Sequence, residues 1–305
     1  MKKFIAKCLI FSIVLIFSFI GFFLFEQGDV DPFYQKLRGY EKSSLIIGTS
    51  KAAQGILPSV MDERLNLSES NSLHNFSFTV YHSPFGQTYL DRIREKLRGN
   101  DKGIFIVTVD PWSISSDWDT IQNKEIFQEK ETFMGKLHSM NGWINLEYCL
   151  HYFSAQYIEI LLKKFSTTNS KLHKDGWFEV NIAMDLDQVE NRINDKVLEY
   201  DKLADSYRFS KIRFDYLVKT IEYLKSQGKV YLVRMPVHQR LLEIENELVP
   251  NFNNILNPVI QSNQIPYLDL TPKNHAYRYT DGNHLFKEDA RTVSGQIAEW
   301  ISATN

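Results

Sequence analysis

The chain has 305 residues, of which 43% are hydrophobic and 24% charged, and this is enough for one large α/β domain with an insertion. Its formal net charge of -2 gives no global basic field, so a nucleic-acid partner is not expected. The two cysteines, Cys8 and Cys149, lie far apart in the sequence, which argues against a disulfide framework and against a thiol nucleophile.

The N-terminal segment is an apolar run from Phe4 to Phe25 that follows Lys2 and Lys3. From Cys8 onward it can form a helix of about 27 Å, which nearly spans a hydrocarbon core. No small-residue cleavage pattern follows, so the sequence predicts an uncleaved signal anchor over residues 1–26. Because the lysines precede the span, the N-terminus is expected in the cytoplasm and the rest outside it, in the periplasm if the cell is Gram-negative. The alternative is a buried helix of a soluble protein.

Residues 27–42 are polar and are predicted to form a stalk before a folded domain at 43–305. The predicted strands are short apolar runs bounded by Gly, Asp, Asn or Pro, at residues 44–47, 75–78, 104–109, 230–233 and 266–268. Between most of these strands, apolar residues recur at helical spacing, at residues 58–65, 87–97, 209–226, 238–248 and 287–302. This alternation predicts an α/β fold with a parallel sheet and crossover helices.

Between residues 115 and 207 the strand pattern stops and aromatic helical sequence takes over, at 143–165 and 186–203. We interpret this region as a helical insertion that forms a cap or a partner surface. Its tryptophan and tyrosine side chains could stack on sugar rings, although ordinary core packing is the commoner explanation for such residues.

Ser50 stands where a buried strand ends in a Gly turn and a helix begins. A nucleophile suits this position, because the strand directs it to the carboxyl edge of the sheet and the helix start supplies N–H groups to a developing oxyanion. A serine here is also an ordinary helix N-cap, so the pattern alone leaves both interpretations open.

A second pattern lies near the C-terminus, where Asp281 and His284 occupy a polar turn before the last helix. A carboxylate three residues before an imidazole can bind one ring nitrogen and leave the other facing Ser50. His284 would then be the general base, and Asp281 would hold its tautomer. A helix cap beside a surface histidine is the alternative.

Together, Gly48-Thr49-Ser50 after the first strand and Asp281-Gly282-Asn283-His284-Leu285 before the last helix resemble the SGNH (GDSL-like) hydrolase superfamily. The N-terminal anchor makes the chain similar to its membrane-anchored envelope branch, which includes proteins of lipoteichoic acid D-alanylation and alginate acetylation. The resemblance covers residues 43–305 without the insertion. It implies a flavodoxin-like three-layer α/β/α sandwich and a triad of Ser50, Asp281 and His284.

Three further residues are candidates for the oxyanion hole or the pocket. The family's oxyanion glycine is missing at residues 75–80, and Gly86 is the nearest substitute. Asp110 follows the third strand where the family has an asparagine, and it could line the pocket or end the strand in an Asp-Pro turn. Arg234 follows the fourth strand and could bind a substrate carboxylate or phosphate, or form an ion pair within the fold.

No cofactor is expected, because glycine-rich phosphate loops are absent from the sequence and no histidine has ligand spacing for a metal. The sequence therefore favours a serine esterase or O-acyltransferase that acts on acyl, for example acetyl, esters of a cell-envelope polysaccharide. Its acyl donor would be a partner such as a membrane-bound O-acyltransferase. The alternative is a non-catalytic envelope scaffold that binds glycan or a partner membrane protein.

Overall fold

The structure, a computed structural model, describes residues 1–26, 31–39, 41–99, 102–138, 147–148 and 169–304. The chain separates into two compact units. One consists of Met1–Gly39 with Leu137–Thr168, and the other of Tyr40–Lys136 with Asn169–Asn305.

The first unit contains helix α1 (Lys2–Glu26) and helix α2 (Pro32–Leu37). Over Lys2–Gly21, α1 is long and apolar enough to cross a membrane, and this stretch is not buried inside the molecule. A signal sequence near the N-terminus can also be this long and this apolar. The helix is therefore consistent with a membrane anchor or with a signal sequence.

Helix α2 lies inside the segment predicted as a stalk. It begins where the Asp31 carboxylate accepts hydrogen bonds from the N–H groups of Phe33 (3.0 Å) and Tyr34 (3.1 Å). The Tyr34 ring stacks on Tyr148 with a centroid distance of 3.4 Å. This part of the segment is thus folded rather than extended.

The second unit is built from short strands and longer helices. Its strands are β1 (Ser44–Ile47), β2 (Leu73–Asn75), β3 (Gly103–Thr108), β4 (Ser115–Asp119), β5 (Lys124–Ile126), β6 (Ser170–Leu172), β7 (Phe178–Val180), β8 (Tyr207–Phe209), β9 (Gly228–Arg234) and β10 (Tyr267–Asp269). Its helices are α3 (Ser50–Gly55), α4 (Pro58–Leu65), α5 (Gln87–Lys96), α6 (Phe133–Lys136), α7 (Leu186–Ser206), α8 (Lys211–Lys225), α9 (Gln239–Leu248), α10 (Phe252–Asn263) and α11 (Lys287–Thr304).

Five of these strands form a parallel sheet in the order β2-β1-β3-β9-β10. Counted along the chain, this is the order 2-1-3-4-5 of flavodoxin-like folds. The predicted parallel α/β architecture is confirmed. Its strands read as continuous apolar runs because both faces of such a sheet are covered by helices.

The core shows how the two faces are covered. Ile46, Ile106 and Val233 point to one face, where they belong to a cluster with the buried stripe of α11. That stripe consists of Ala290, Val293, Ile297 and Ile301. Helix α11 also packs against α3 and α4, whereas α8 packs against β9 and α5. The alternate side chains of the strands, such as Leu45 and Phe105, are fully buried outside that cluster. The result is a three-layer α/β/α sandwich.

Two elements differ from the sequence prediction. Strand β2 spans Leu73–Asn75 rather than the predicted 75–78, although the N–H groups of Phe76 and Phe78 still donate hydrogen bonds to the carbonyls of Ile46 (2.8 Å) and Gly48 (3.2 Å). Helix α10 was not predicted, since its asparagines and the internal Pro258 suggest a loop.

Within its described residues, the predicted insertion contains strands as well as helices. Helix α7 matches the predicted helix at 186–203, but the described part of residues 115–207 also contains short antiparallel strands. Strand β4 pairs with β5 and β8, and β6 pairs with β7. The predicted helix at 143–165 lies outside the described residues except for 147–148.

Candidate active site

Ser50 is the first residue of α3 and follows β1 after a two-residue turn. Gly48 makes this turn possible: its φ is 155°, and a Cβ there would lie 1.7 Å from Thr108 Oγ1. Only glycine lets the turn pass this close to the end of β3. The Ser50 side chain is thereby held at the carboxyl edge of the sheet, where ligands of such folds bind.

His284 and Asp281 lie in the turn that precedes α11. The Asp281 carboxylate accepts hydrogen bonds from the N–H groups of Asn283 (3.0 Å) and His284 (2.9 Å). Gly282, with φ of 85°, provides the left-handed backbone that this turn requires. One oxygen of Asp281 therefore fixes the turn, and its other oxygen is free to face the imidazole.

The structure brings the three predicted triad residues together. His284 Nδ1 lies 2.8 Å from Asp281 Oδ2, and His284 Nε2 lies 2.8 Å from Ser50 Oγ. With Asp281 ionised, the ring proton resides on Nδ1 and the Nε2 lone pair faces the serine hydroxyl. The arrangement can move a proton from Ser50 to His284.

The Asp281 carboxylate is electrostatically prepared for this contact. Burial alone would raise its pKa, but His284, the backbone N–H of His284 and Lys196 together hold the pKa well below its usual range. Lys196 Nζ lies 4.0 Å from Asp281 Oδ2. Asp281 is consequently an anion at neutral pH and can stabilise an imidazolium on His284.

Asn283 is a polar residue at this site that the sequence did not single out. Its side-chain amide nitrogen lies 3.2 Å from His284 Nε2, the nitrogen that also faces Ser50. The residue is buried, and its Oδ1 has no hydrogen-bond partner among the described residues. Its place between Asp281 and His284 in the sequence was the available clue, but a turn residue is ordinarily exposed.

A buried charged cluster lies next to the turn that carries Ser50. Lys51, next to Ser50, forms ion pairs with Asp110 (3.1 Å) and with Glu245 of α9. Burial alone would lower the pKa of Lys51, but the two carboxylates raise it above its ordinary value. Arg234 completes the cluster with a contact of 3.2 Å to Glu245. Two cations and two anions thus balance inside the protein.

Asp110 is held within the fold from several sides. Its carboxylate accepts hydrogen bonds from Thr49 Oγ1 (3.2 Å) and from the N–H of Ser113 (2.8 Å). The second bond forms the strand-ending turn that was one of the two sequence interpretations. Because Thr49 and Lys51 flank Ser50, Asp110 fixes both neighbours of the serine.

Arg234 and Gly86 are surrounded by residues other than Ser50, His284 and Asp281. Arg234 is 4% exposed and pairs with Glu245, so the ion pair within the fold is its observed environment. Gly86 caps the start of α5, and the nearest atoms to a Cβ there would be Arg213 NH1 at 2.8 Å and Glu129 Oε1 at 3.1 Å. Neither residue takes part in the hydrogen bonds that join Ser50, His284 and Asp281.

Helix α7 of the insertion supports the His284 turn. Arg192 Nε donates a hydrogen bond to the Thr280 carbonyl (2.7 Å), and Lys196 approaches Asp281. Tyr200 is buried edge-on against Trp112, and burial, Asp110 and Asp281 raise its pKa well above the ordinary value. The sequence predicted this helix but not its contacts with the site.

Within the described residues, no group of three or more His, Cys, Asp or Glu side chains is arranged to hold a metal ion. The residues gathered around Ser50 offer a hydroxyl, an imidazole, a carboxylate and an amide. Such groups in contact can form a covalent intermediate and transfer protons.

Known proteins give little further information about this site. No protein-family profile and no curated protein matches the sequence. One similar solved structure is the crystal structure of a protein from Bacteroides fragilis NCTC 9343 described as a "putative acylhydrolase". It is 13% identical, covers 89% of this chain and 93% of its own, and has a TM-score of 0.37. A likeness of this size supports no conclusion about activity or substrate.

Proposed function

We propose that this protein is an SGNH-type serine esterase or O-acyltransferase that works through an acyl-Ser50 intermediate. The proposal is carried by one observation, the continuous contact from Ser50 Oγ through His284 to Asp281, with 2.8 Å at both steps. Thr49 rather than Ser50 occupies the N-cap position of α3, so a capping role does not account for Ser50 or for the imidazole aimed at its hydroxyl.

In the first half-reaction Ser50 Oγ attacks the ester carbonyl carbon while His284 Nε2 takes the hydroxyl proton. The resulting tetrahedral intermediate expels the alcohol, which receives that proton from His284. The acyl group stays on Ser50, and His284 is neutral again. Asp281 stabilises the imidazolium that exists between these two proton transfers.

The oxyanion of the intermediate requires hydrogen-bond donors. We propose the backbone N–H of Ser50, which as the first residue of a helix has no acceptor within it, and the side-chain amide of Asn283. Support comes from the position of Asn283 Nδ2, 3.2 Å from the same His284 nitrogen that Ser50 approaches. This pair would replace the family glycine and asparagine that the sequence lacks.

In the second half-reaction the acyl group passes to water or to a sugar hydroxyl, with His284 removing the proton of the acceptor. We propose acyl esters of a cell-envelope polysaccharide, for example acetyl esters, as the substrate class. A membrane-bound O-acyltransferase would be a fitting donor. The apolar helix α1 supports this assignment, because it would keep the enzyme at a membrane.

The proposed orientation has the N-terminus in the cytoplasm and the catalytic unit outside, since Lys2, Lys3 and Lys7 precede the apolar span. A reporter enzyme that is active only outside the cytoplasm, fused after Asn305, is expected to be active. A cytoplasmic signal from that fusion would reject this orientation.

The test of the enzyme proposal uses the full chain in detergent and a fluorophosphonate probe that labels activated serines. The wild type is expected to be labelled and to hydrolyse an aryl acetate, and Ser50→Ala is expected to abolish both. Ser262→Ala is the control, because Ser262 lies on α10, outside the proposed triad and outside the charged cluster around Asp110. Absence of labelling, hydrolysis and acetyl transfer to an oligosaccharide in the wild type would reject the enzyme and favour the non-catalytic scaffold.

A further inference from the structure

A groove of about 480 Å³ runs between the loop after β2 and helix α7. Tyr81 forms one wall. The other wall is a single face of α7, formed by Asp195, Leu198, Glu199, Lys202 and Leu203. Their spacing of three and four residues places these side chains on one side of the helix.

Both walls of the groove carry exposed apolar surface. Leu198 is 58% exposed and Tyr81 is 37% exposed, although both are large side chains of a well-packed unit. A tyrosine ring offers an apolar face with a polar tip, which suits a ligand that is itself partly apolar and partly polar. The flat C–H faces of a sugar ring have this character.

Helix α7 connects the groove to the proposed active site. Lys196 Nζ lies 2.7 Å from Glu199 Oε2, which lines the groove, and 4.0 Å from Asp281 Oδ2 of the triad. Tyr81 belongs to the same electrostatic neighbourhood, because burial and Glu199 raise its pKa and Lys196 lowers it. The groove is therefore connected to the proposed catalytic carboxylate through Glu199 and Lys196.

The charged side chains of the groove disfavour anionic ligands. Two carboxylates, Asp195 and Glu199, line the groove together with one lysine, Lys202. A second lysine, Lys196, is shared between Glu199 and Asp281. Along α7 as a whole the acidic residues also outnumber the basic ones. This surface repels phosphate and uronate polymers, whereas carboxylates accept hydrogen bonds from uncharged hydroxyl groups.

We propose that the Tyr81–α7 groove binds an uncharged, hydroxyl-rich sugar unit of the substrate and rejects anionic glycans. The inference rests on the proposed function in one respect, that the ester is carried on a glycan. It goes beyond the proposed function because it assigns the groove as a sugar-binding subsite and the polymer as uncharged. Tyr81 and Leu198 pack against the ring, and Asp195 and Lys202 bind its hydroxyls.

Binding is tested on full-chain Ser50→Ala protein, which binds without turnover. Calorimetric titrations compare a partly acetylated neutral oligosaccharide with a uronate oligomer of equal length and acetylation. The neutral ligand is expected to bind at least 10-fold more tightly, and Tyr81→Ala or Leu198→Ala is expected to weaken it at least 5-fold. Leu186→Ala is the matched control, because Leu186 is an exposed leucine of α7 outside the groove.

A charge reversal provides the second arm. Asp195→Lys should strengthen uronate binding at least 5-fold at low salt and lose this gain at high salt. Equal binding of the two oligomers, no binding of the neutral one, or groove variants that bind like Leu186→Ala would overturn the proposal.

Aryl acetate hydrolysis by the wild type is measured in parallel. Glycan binding in the groove without hydrolysis would support the subsite and reject the esterase. Hydrolysis without glycan binding would reject the subsite alone.

Discussion

His284 Nε2 and Ser50 Oγ lie 2.8 Å apart although 234 residues separate them in the chain. The packing of α11 against α3 explains this proximity, since Ser50 begins α3 and His284 stands in the turn before α11. The first and last parts of the unit therefore meet at one edge of the sheet. A hydroxyl and an imidazole in contact there constitute a testable catalytic unit.

Asp281→Asn is expected to lower kcat on an aryl acetate by on the order of 10³- to 10⁴-fold. An amide cannot hold the Nδ1–H tautomer of His284 or stabilise its imidazolium. The steady-state rate is the measurement, with Asp269→Asn, at the end of β10, as the control on a carboxylate outside the triad. A loss below about 10-fold in Asp281→Asn would contradict its role.

Asn283→Ala is expected to lower kcat by on the order of 10²-fold with little change in KM, because an oxyanion donor acts mainly in the transition state. Asn283→Asp should be at least as damaging, since it places a negative charge near the developing oxyanion. The pair is compared by steady-state kinetics, with circular dichroism as the check on folding. An increase in KM at constant kcat would show that Asn283 binds substrate instead.

Lys51→Met is expected to lower the free energy of unfolding by roughly 3–5 kcal/mol, because Asp110 and Glu245 stay buried and the remaining cation of the cluster, Arg234, contacts only Glu245 among them. Urea denaturation measures the loss. Arg64→Met is the control: its ion pair with Glu299 is exposed, so a change below about 1 kcal/mol is expected. Equal effects of the two substitutions would mean that the buried cluster does not stabilise the fold.

Asp62→Asn is expected to stabilise the protein at pH 7 by on the order of 1 kcal/mol. Burial raises the pKa of Asp62 from 3.8 to about 6, with Asp175 adding to the rise and the Leu73 N–H opposing it. A raised folded-state pKa means that the stability contribution is present below pH 4 and is lost as the pH rises through about 6. Asparagine keeps the acceptor for the Leu73 N–H, which donates at 2.9 Å.

The measurement for Asp62→Asn is thermal denaturation at pH 4 and pH 7. The gain should appear at pH 7 and vanish at pH 4, and Glu63→Gln, on the exposed side of the same helix, should show neither. A gain that is the same at both values would refute a titrating carboxylate.

Several features follow from local sequence. Apolar runs of strand length, alternating with helical periods, predicted the parallel sheet, because strands buried on both faces must be apolar throughout. The stripe of α11 was visible because its apolar residues recur at intervals of three and four positions. Ser50, Asp281 and His284 could be named because each occurs in a short pattern at an element boundary, where side chains reach the edge of a sheet.

Other features depend on residues far apart in the chain, and the sequence did not determine them. Nothing near Lys51 identifies Glu245 as its partner, and nothing near Arg234 shows that its charge is used inside the fold. The position of the Asn283 amide and the approach of α7 to Asp281 were likewise set by packing between distant elements. Periodicity records which face of an element is buried, whereas only the tertiary structure decides which side chain lies opposite, because close packing selects partners by shape and charge irrespective of their distance along the chain.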